Sequence, residues 1–183
     1  MADRAQATGA NVNRLLSEAT SDGVDVHQIN CTYYSALACD DERYVAARAI
    51  QLFAKGVPQI YYIGLLAGEN DGAAVRRTGD GRAINRHDYS LDEVLDAFRR
   101  PVVQRIADLI RLRSSHPAFE GDMCAEAPSD GAISVRWQHP EGDLVLDVDF
   151  AAGQADLTDG GRRREIATWR PGEAELGEQR FEP

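Results

Sequence analysis

The sequence predicts an α/β protein with a small antiparallel β region behind it, and three observations carry that prediction. Val45, Ala49, Leu52 and Phe53 form a helical stripe that runs almost directly into Val57, Ile60, Tyr61, Tyr62 and Ile63, an αβ step with a very short connection. Further on, Val102, Val103, Ile106, Leu109, Ile110 and Arg113 recur at i, i+3, i+4 and i+7. Past Phe119 the period changes to two, with Leu144, Leu146, Val148 and Phe150 on one face and Asp147 and Asp149 facing water. The chain therefore divides into a wound α/β part, 1–119, and a β-sheet part with a polar tail, 120–183.

Taken in order, residues 1–24 mix Ala, Asn, Ser, Thr and Gly around one apolar patch, Leu15–Leu16, and are expected to be poorly ordered loop. VDVHQINCTYYS, 24–35, is rich in β-branched and aromatic residues and reads as a short extended segment leading to a loop. Asp40 and Asp41 suit a helix start, Lys55 its last turn and Gly56 its C-terminal cap. The strand expected over 57–63 then opens into a Gly-, Asn- and Asp-rich loop up to Tyr89, which carries Arg76, Arg77, Arg82, Arg86 and His87. A loop of that length without periodicity is either functional or disordered, and function is the stronger expectation.

Ser90 and Glu93 have capping-box spacing, and a helix follows to Arg99. Pro101 is placed to open a second helix that stops before Pro117. The runs 132–137 and 143–150, with a turn at His139–Gly142 between them, predict an antiparallel hairpin. Residues 167–169 add an edge strand, and what remains reads as polar tail.

Composition narrows the function classes. With 43% hydrophobic residues, 183 residues are enough for a packed core. The net charge of −10, the single lysine (Lys55) and the lack of a basic run interleaved with aromatics exclude nucleic acid and anionic membrane as main partners. Cys31, Cys39 and Cys124 fit neither a metal pattern nor an even disulfide framework, so reduced thiols and a cytoplasmic location are expected. No apolar leader and no spanning run of ~18 residues is visible.

Candidate carboxylates are Asp25, Asp40, Asp41, Glu69, Asp71 and Asp80. Asp40 and Asp41 are better explained as helix-start residues, and Glu69, Asp71 and Asp80 as turn formers. Glycosyl transfer needs two carboxyl groups roughly 5–10 Å apart, and spacing singles out no such pair. The chain carries no G-x-S-x-G, H-E-x-x-H, Walker or dinucleotide motif, and no cofactor or metal is expected. Arg82 is the sharper candidate. The turn Gly79-Asp80-Gly81 projects it from the loop, where a guanidinium can grip a carboxylate, a phosphate or a pair of sugar hydroxyls. His87 is read first as a hydrogen-bonded structural histidine and second as a proton shuttle. The Tyr33-Tyr34 and Tyr61-Tyr62 pairs are read as core and sheet packing.

Four segments carry a specific likeness: QINCTYYSAL at 28–37, RYVAARAIQLF at 43–53, GVPQIYYIGLLAGEND at 56–71 and GRAINRH at 81–87. Between about Gly23 and Phe119 the chain resembles sucrose phosphorylase and its relatives in glycoside hydrolase family 13. The resemblance implies the last helix–strand–helix portion of a (β/α)8 TIM barrel, followed by a small antiparallel β domain. It implies a retaining double displacement that transfers a glucosyl group from sucrose or a related α-glucoside to phosphate, giving glucose 1-phosphate. Asp25, His27 and Gln28 would shape the acceptor and phosphate subsite, and Arg82 would line the glucosyl subsite or approach phosphate.

The nucleophile, acid–base glutamate and stabilising aspartate of such enzymes have no counterpart in this chain and are expected upstream of it. His27 stands where the family commonly has Tyr, and Ala83 where it has Asp. These departures point to an acceptor such as a sugar phosphate, glycerate or glycerol. The implied partners are a small sugar and inorganic phosphate, together with a second copy or an upstream barrel fragment. The chain alone is expected to be an inactive portion of such an enzyme. The rival expectations are a non-catalytic sugar-binding module and a family 13 hydrolase.

Overall fold

A computed structural model describes residues 6–7, 9–16 and 24–171, with the backbone alone at 13–16 and 24–27. The chain forms two compact units, Met1–Ser115 and His116–Pro183.

The first unit begins with an antiparallel hairpin of β1 (Asn11–Leu16) and β2 (Val24–Asn30). Ordered strand thus replaces part of the loop expected before residue 24. NVNRLL is too short and mixed to announce a strand by itself, and it becomes one by pairing with the β-prone run that follows. Asn13 pairs with Gln28 but Arg14 pairs with Val26, which leaves His27 as the extra residue of a bulge.

Three helices come next: α1 (Tyr33–Ala36), α2 (Asp41–Phe53) and α3 (Tyr62–Leu65). Asp40 caps α2 by accepting from the backbone N–H groups of Glu42 and Arg43, both at 3.0 Å. That helix ends at Phe53 with Ala54 as its cap, so Lys55 and Gly56 lie beyond it. Tyr44, Val45, Ala49, Leu52 and Phe53 are buried along one face.

The strand expected over 57–63 does not form. Residues 57–61 belong to no helix or strand, Val57 is 97% exposed, and Tyr62 and Ile63 open α3. β-Branched and aromatic residues favour a ladder but cannot supply its other half, and no described strand of this chain pairs with the segment. The tyrosine pairs split for the same reason. Tyr34 is buried, whereas Tyr33, Tyr61 and Tyr62 are exposed.

The long loop is also more structured than expected. It contains α4 (Gly72–Thr78) and a 3₁₀ turn, Gly81–Asn85. Asp71 caps the first through the Ala74 amide at 2.8 Å, and Asp80 caps the second through the Arg82 amide at 2.9 Å. The expected capping box of Ser90 and Glu93 starts α5 (Leu91–Arg99), and Pro101 opens α6 (Pro101–Ser115). Val102, Val103, Ile106 and Leu109 of α6 are buried, and α2 and α6 pack together. Burial of each such side chain contributes about 1.5–3 kcal/mol. A bidentate pair, with Arg105 Nη2 at 2.7 Å from Glu42 Oε2, joins the two helices at their surface.

The second unit is a five-stranded antiparallel meander: β3 (Asp122–Glu126), β4 (Ala132–His139), β5 (Gly142–Asp149), β6 (Gln154–Asp159) and β7 (Arg162–Thr168). The expected hairpin is β4–β5, with Val135, Trp137, Leu144, Leu146 and Val148 buried. β5 stops at Asp149, and Phe150 is exposed rather than aligned with the buried face. β6 occupies part of what read as polar tail. The Gly160-Gly161 pair, at φ 51° and 79°, makes the tight turn that folds β7 back on it. A 3₁₀ turn, Pro117–Glu120, packs on this sheet, with Phe119 edge-on to Trp137 at 5.5 Å.

Candidate functional site

The candidate site is built on the junction between β2 and the residues that follow α3. Asn70 makes that junction. Its Oδ1 accepts from the Thr32 amide at 2.7 Å, its own amide donates to Ser35 Oγ at 3.0 Å, and its Nδ2 donates to Cys31 Sγ at 3.4 Å. The chain then leaves on an excursion, 71–87, whose two ends are pinned together. The Asp71 amide donates to the Ile84 carbonyl at 2.8 Å, and Asp71 Oδ2 meets His87 Nδ1 at 2.8 Å. Within the excursion the 3₁₀ turn carrying Arg82 packs against β1 and β2, and Asn85 Nδ2 reaches the Cys31 carbonyl at 3.5 Å.

The residues predicted for the site therefore lie on neighbouring elements. Asp25, His27 and Gln28 are on β2, His27 at the bulge, and Arg82 is on the 3₁₀ turn beside that strand. The Arg82 side chain is exposed, and among the described residues no carboxylate pairs with its guanidinium. Its fixed part is the backbone, held by the Asp80 cap. Behind it, Asn11 Oδ1 and Asn30 Nδ2 are buried without a hydrogen-bond partner among the described residues, and the two residues stand directly opposite in the β1–β2 ladder. Buried amide groups left unsatisfied are costly and uncommon, so their joint presence marks this junction as polar inside.

His87 is the electrostatic centre of the same region. Nδ1 faces Asp71 and Nε2 faces Glu93 Oε1 at 3.2 Å. The hydrogen bond to Asp71, with a smaller one to Glu93, raises its pKa above the ordinary 6.5 despite partial burial. His87 and the Ala74 amide lower the Asp71 carboxyl, and the Ser90 cap, then His87, lowers that of Glu93. Two clefts of about 460 Å³ each adjoin here and share Leu66, His87 and Tyr89. One is walled by Tyr62, Val94 and Phe98, the other by Asn70, Glu93 and Arg100. Tyr89 stands edge-on to the imidazole at 4.6 Å, and Tyr62 Oη donates to the His87 carbonyl at 3.0 Å. Arg100 supports the floor, donating to the Leu66 and Ala67 carbonyls at 3.3 and 3.0 Å where Ala67 takes a left-handed φ of 47°.

Among the described residues no group of His, Cys, Asp or Glu is arranged to hold a metal ion, and no helix is long and apolar enough to cross a membrane. Cys31, Cys39 and Cys124 are free, and burial pushes the Cys31 thiol up, away from nucleophilic use.

Comparison with known proteins finds relatives of one kind. The chain is 48% identical over 144 residues to a sucrose 6(F)-phosphate phosphorylase of Thermoanaerobacterium thermosaccharolyticum, covering 78% of this chain and 30% of that protein. It is 44% identical over 149 residues to a sucrose phosphorylase of Agrobacterium vitis, covering 81% and 30%. The solved sucrose 6F-phosphate phosphorylase from Thermoanaerobacter thermosaccharolyticum superposes with a TM-score of 0.82 at 42% identity, over 91% of this chain and 35% of that one. The chain is a homologue of the sucrose phosphorylases. This homologue spans about a third of the length of the relatives it matches, and no family model matches it.

In this sucrose phosphorylase homologue, sequence reasoning singled out Arg82 and the β2 residues as candidates but not the groups packed around them. Asn70 drew no reading of its own, while Asp71 read as a turn former and Glu93 as part of a capping box, and both are cap residues. A carboxylate has two oxygens, however, and here one caps a helix while the other takes His87. Cap residues on both sides of a lone histidine were the available signal.

Proposed function

We propose that this chain supplies one wall of the active site of a sucrose-phosphorylase-like enzyme, a retaining transferase that moves a glucosyl group from an α-glucoside to phosphate. The observation that carries the reading is the packing of the 3₁₀ turn bearing Arg82 against β2, which bears Asp25, His27 and Gln28. The named relatives, two of them sucrose 6(F)-phosphate phosphorylases and one a sucrose phosphorylase, support it. In this reading the α/β unit is the C-terminal part of a (β/α)8 barrel, completed by further polypeptide. Arg82, which no carboxylate pairs with among the described residues, grips phosphate or the glucosyl hydroxyls through parallel N–H donors. β2 shapes the acceptor side, and the bulge at His27 sets which acceptor fits.

Covalent chemistry is not assigned to any residue here. Retaining transfer requires a carboxylate nucleophile and a carboxylic acid about 5–5.5 Å apart. Of the carboxylates near this wall, Asp71 and Asp80 are committed to helix caps, and Asp71 also to His87. The partners in the proposal are a sugar, inorganic phosphate and the remaining barrel polypeptide.

The test is a graft. Replacing the matching portion of the Thermoanaerobacterium relative with this chain should preserve release of glucose 1-phosphate from sucrose or sucrose 6-phosphate. Arg82→Ala in the graft should lower kcat/KM by about 10²-fold or more, the scale of losing one transition-state donor. A folded graft in which Arg82→Ala changes nothing would remove Arg82 from the site.

A further inference from the structure

His87 touches two carboxylates from two different elements, and each of those carboxylates is also a helix cap. Asp71 uses Oδ1 to cap α4 and Oδ2 to meet His87 Nδ1. Glu93 uses Oε2 for the Ser90 amide and hydroxyl and Oε1 to meet His87 Nε2. A neutral imidazole has one N–H, so it can donate to one of these partners while presenting a lone pair to the other. Only the imidazolium donates to both. The other groups around it do not replace either bond: the Tyr62 hydroxyl is on the His87 carbonyl and Tyr89 offers its ring. Asp88 adjoins His87, Glu69, Asp96 and Arg100 line the cleft, and Arg77 acts on Asp71 from α4.

We propose that His87 is a pH-sensitive latch: its imidazolium ties the start of α4 to the start of α5 and so holds shut the base of the excursion, 71–87, that carries Arg82. The latch stands on this chain's own geometry and not on the proposed activity, so either can fail without the other.

The sign follows from the direction of each shift. His87 is raised above 6.5, so its contribution is complete below that value and is lost as pH rises through the folded-state pKa. Asp71 and Glu93 are lowered, so theirs is present above the ordinary carboxylate range and lost as pH falls through their folded-state values. The latch is closed between those limits and opens on the alkaline side first on leaving neutral pH.

The experiment is an NMR titration of the 183-residue chain from pH 5.5 to 8.5, following the His87 ring nitrogens and the amide protection of 72–85, corrected for intrinsic exchange. The ring should titrate above 6.5, and protection should fall with the same midpoint by roughly two- to fivefold, the range of a half-exposed ion pair. Asp71→Asn and Glu93→Gln each keep a competent cap while removing a charge, so the fold is retained. Each should bring the His87 midpoint down and weaken the pH dependence. A midpoint at or below 6.5, or ring titration without any change in protection, overturns the latch.

Discussion

In the β unit every strand bonds to its neighbour in sequence, so β4, β5 and β6 each have a partner on both sides and the ladder closes within about fifty residues. In the α/β unit the described ladder is the β1–β2 hairpin, while the segment richest in β-formers, Val57–Tyr61, pairs with nothing described. Their surfaces differ in the same way. Among the described residues, Phe150 is the large apolar side chain exposed in the β unit. The α/β unit exposes Ile29, Tyr33, Val57, Tyr61, Tyr62, Leu91, Leu95 and Phe98. Locally wired structure completes itself, whereas structure whose hydrogen bonds and apolar faces need distant chain does not. The α/β unit carries most of the exposed large apolar side chains among the described residues.

The comparison breaks most readily in the two cores. Leu146→Ala in β5 and Ile106→Ala in α6 each remove a fully buried side chain, at a cost of about 2–5 kcal/mol. If the units are wired separately, Leu146→Ala should strip amide protection from the meander and spare α2 and α6, and Ile106→Ala the reverse. Loss of both units together in both variants would dissolve the distinction. A smaller effect sharpens the α/β side. Gly64 lies where an added Cβ would come within 2.2 Å of Arg48 Nη2. Arg48 is buried beside Tyr44, whose hydroxyl accepts its Nε at 2.9 Å, with the guanidinium over the Tyr33 and Tyr44 rings. Gly64→Ala should therefore cost about 1–3 kcal/mol in chemical denaturation. The smallest change in stability is expected at the exposed segment. Val57→Lys should move it by less than about 0.5 kcal/mol. Any self-association that sedimentation detects in the parent chain should also fall, and a large loss of stability would show that Val57 is already covered.

What was legible in the sequence was local chemistry. The caps at Asp40 and Ser90–Glu93 and the Pro101 start declare themselves within four residues, and each stands as expected. The β4–β5 hairpin was legible because alternation and turn sit side by side. β1 and β3 were not: β1 becomes a strand only on its partner, and β3 is largely exposed and so carries no alternation of burial. Val57–Ile63 misled for the complementary reason, since its composition is that of a strand but no described strand pairs with it. In the candidate site, the capped turn that carries Arg82 was visible from its Gly-Asp-Gly sequence. The latch was not, because its carboxylates lie 16 and 6 residues from His87 and each already had a local explanation.

In the proposed function this chain holds a binding wall without the carboxylates that make and break the glycosidic bond. The most direct test is ³¹P NMR of the purified 183-residue chain incubated with inorganic phosphate and sucrose or sucrose 6-phosphate. No glucose 1-phosphate signal is expected over the course of hours; sustained formation of glucose 1-phosphate by the chain alone would contradict that reading.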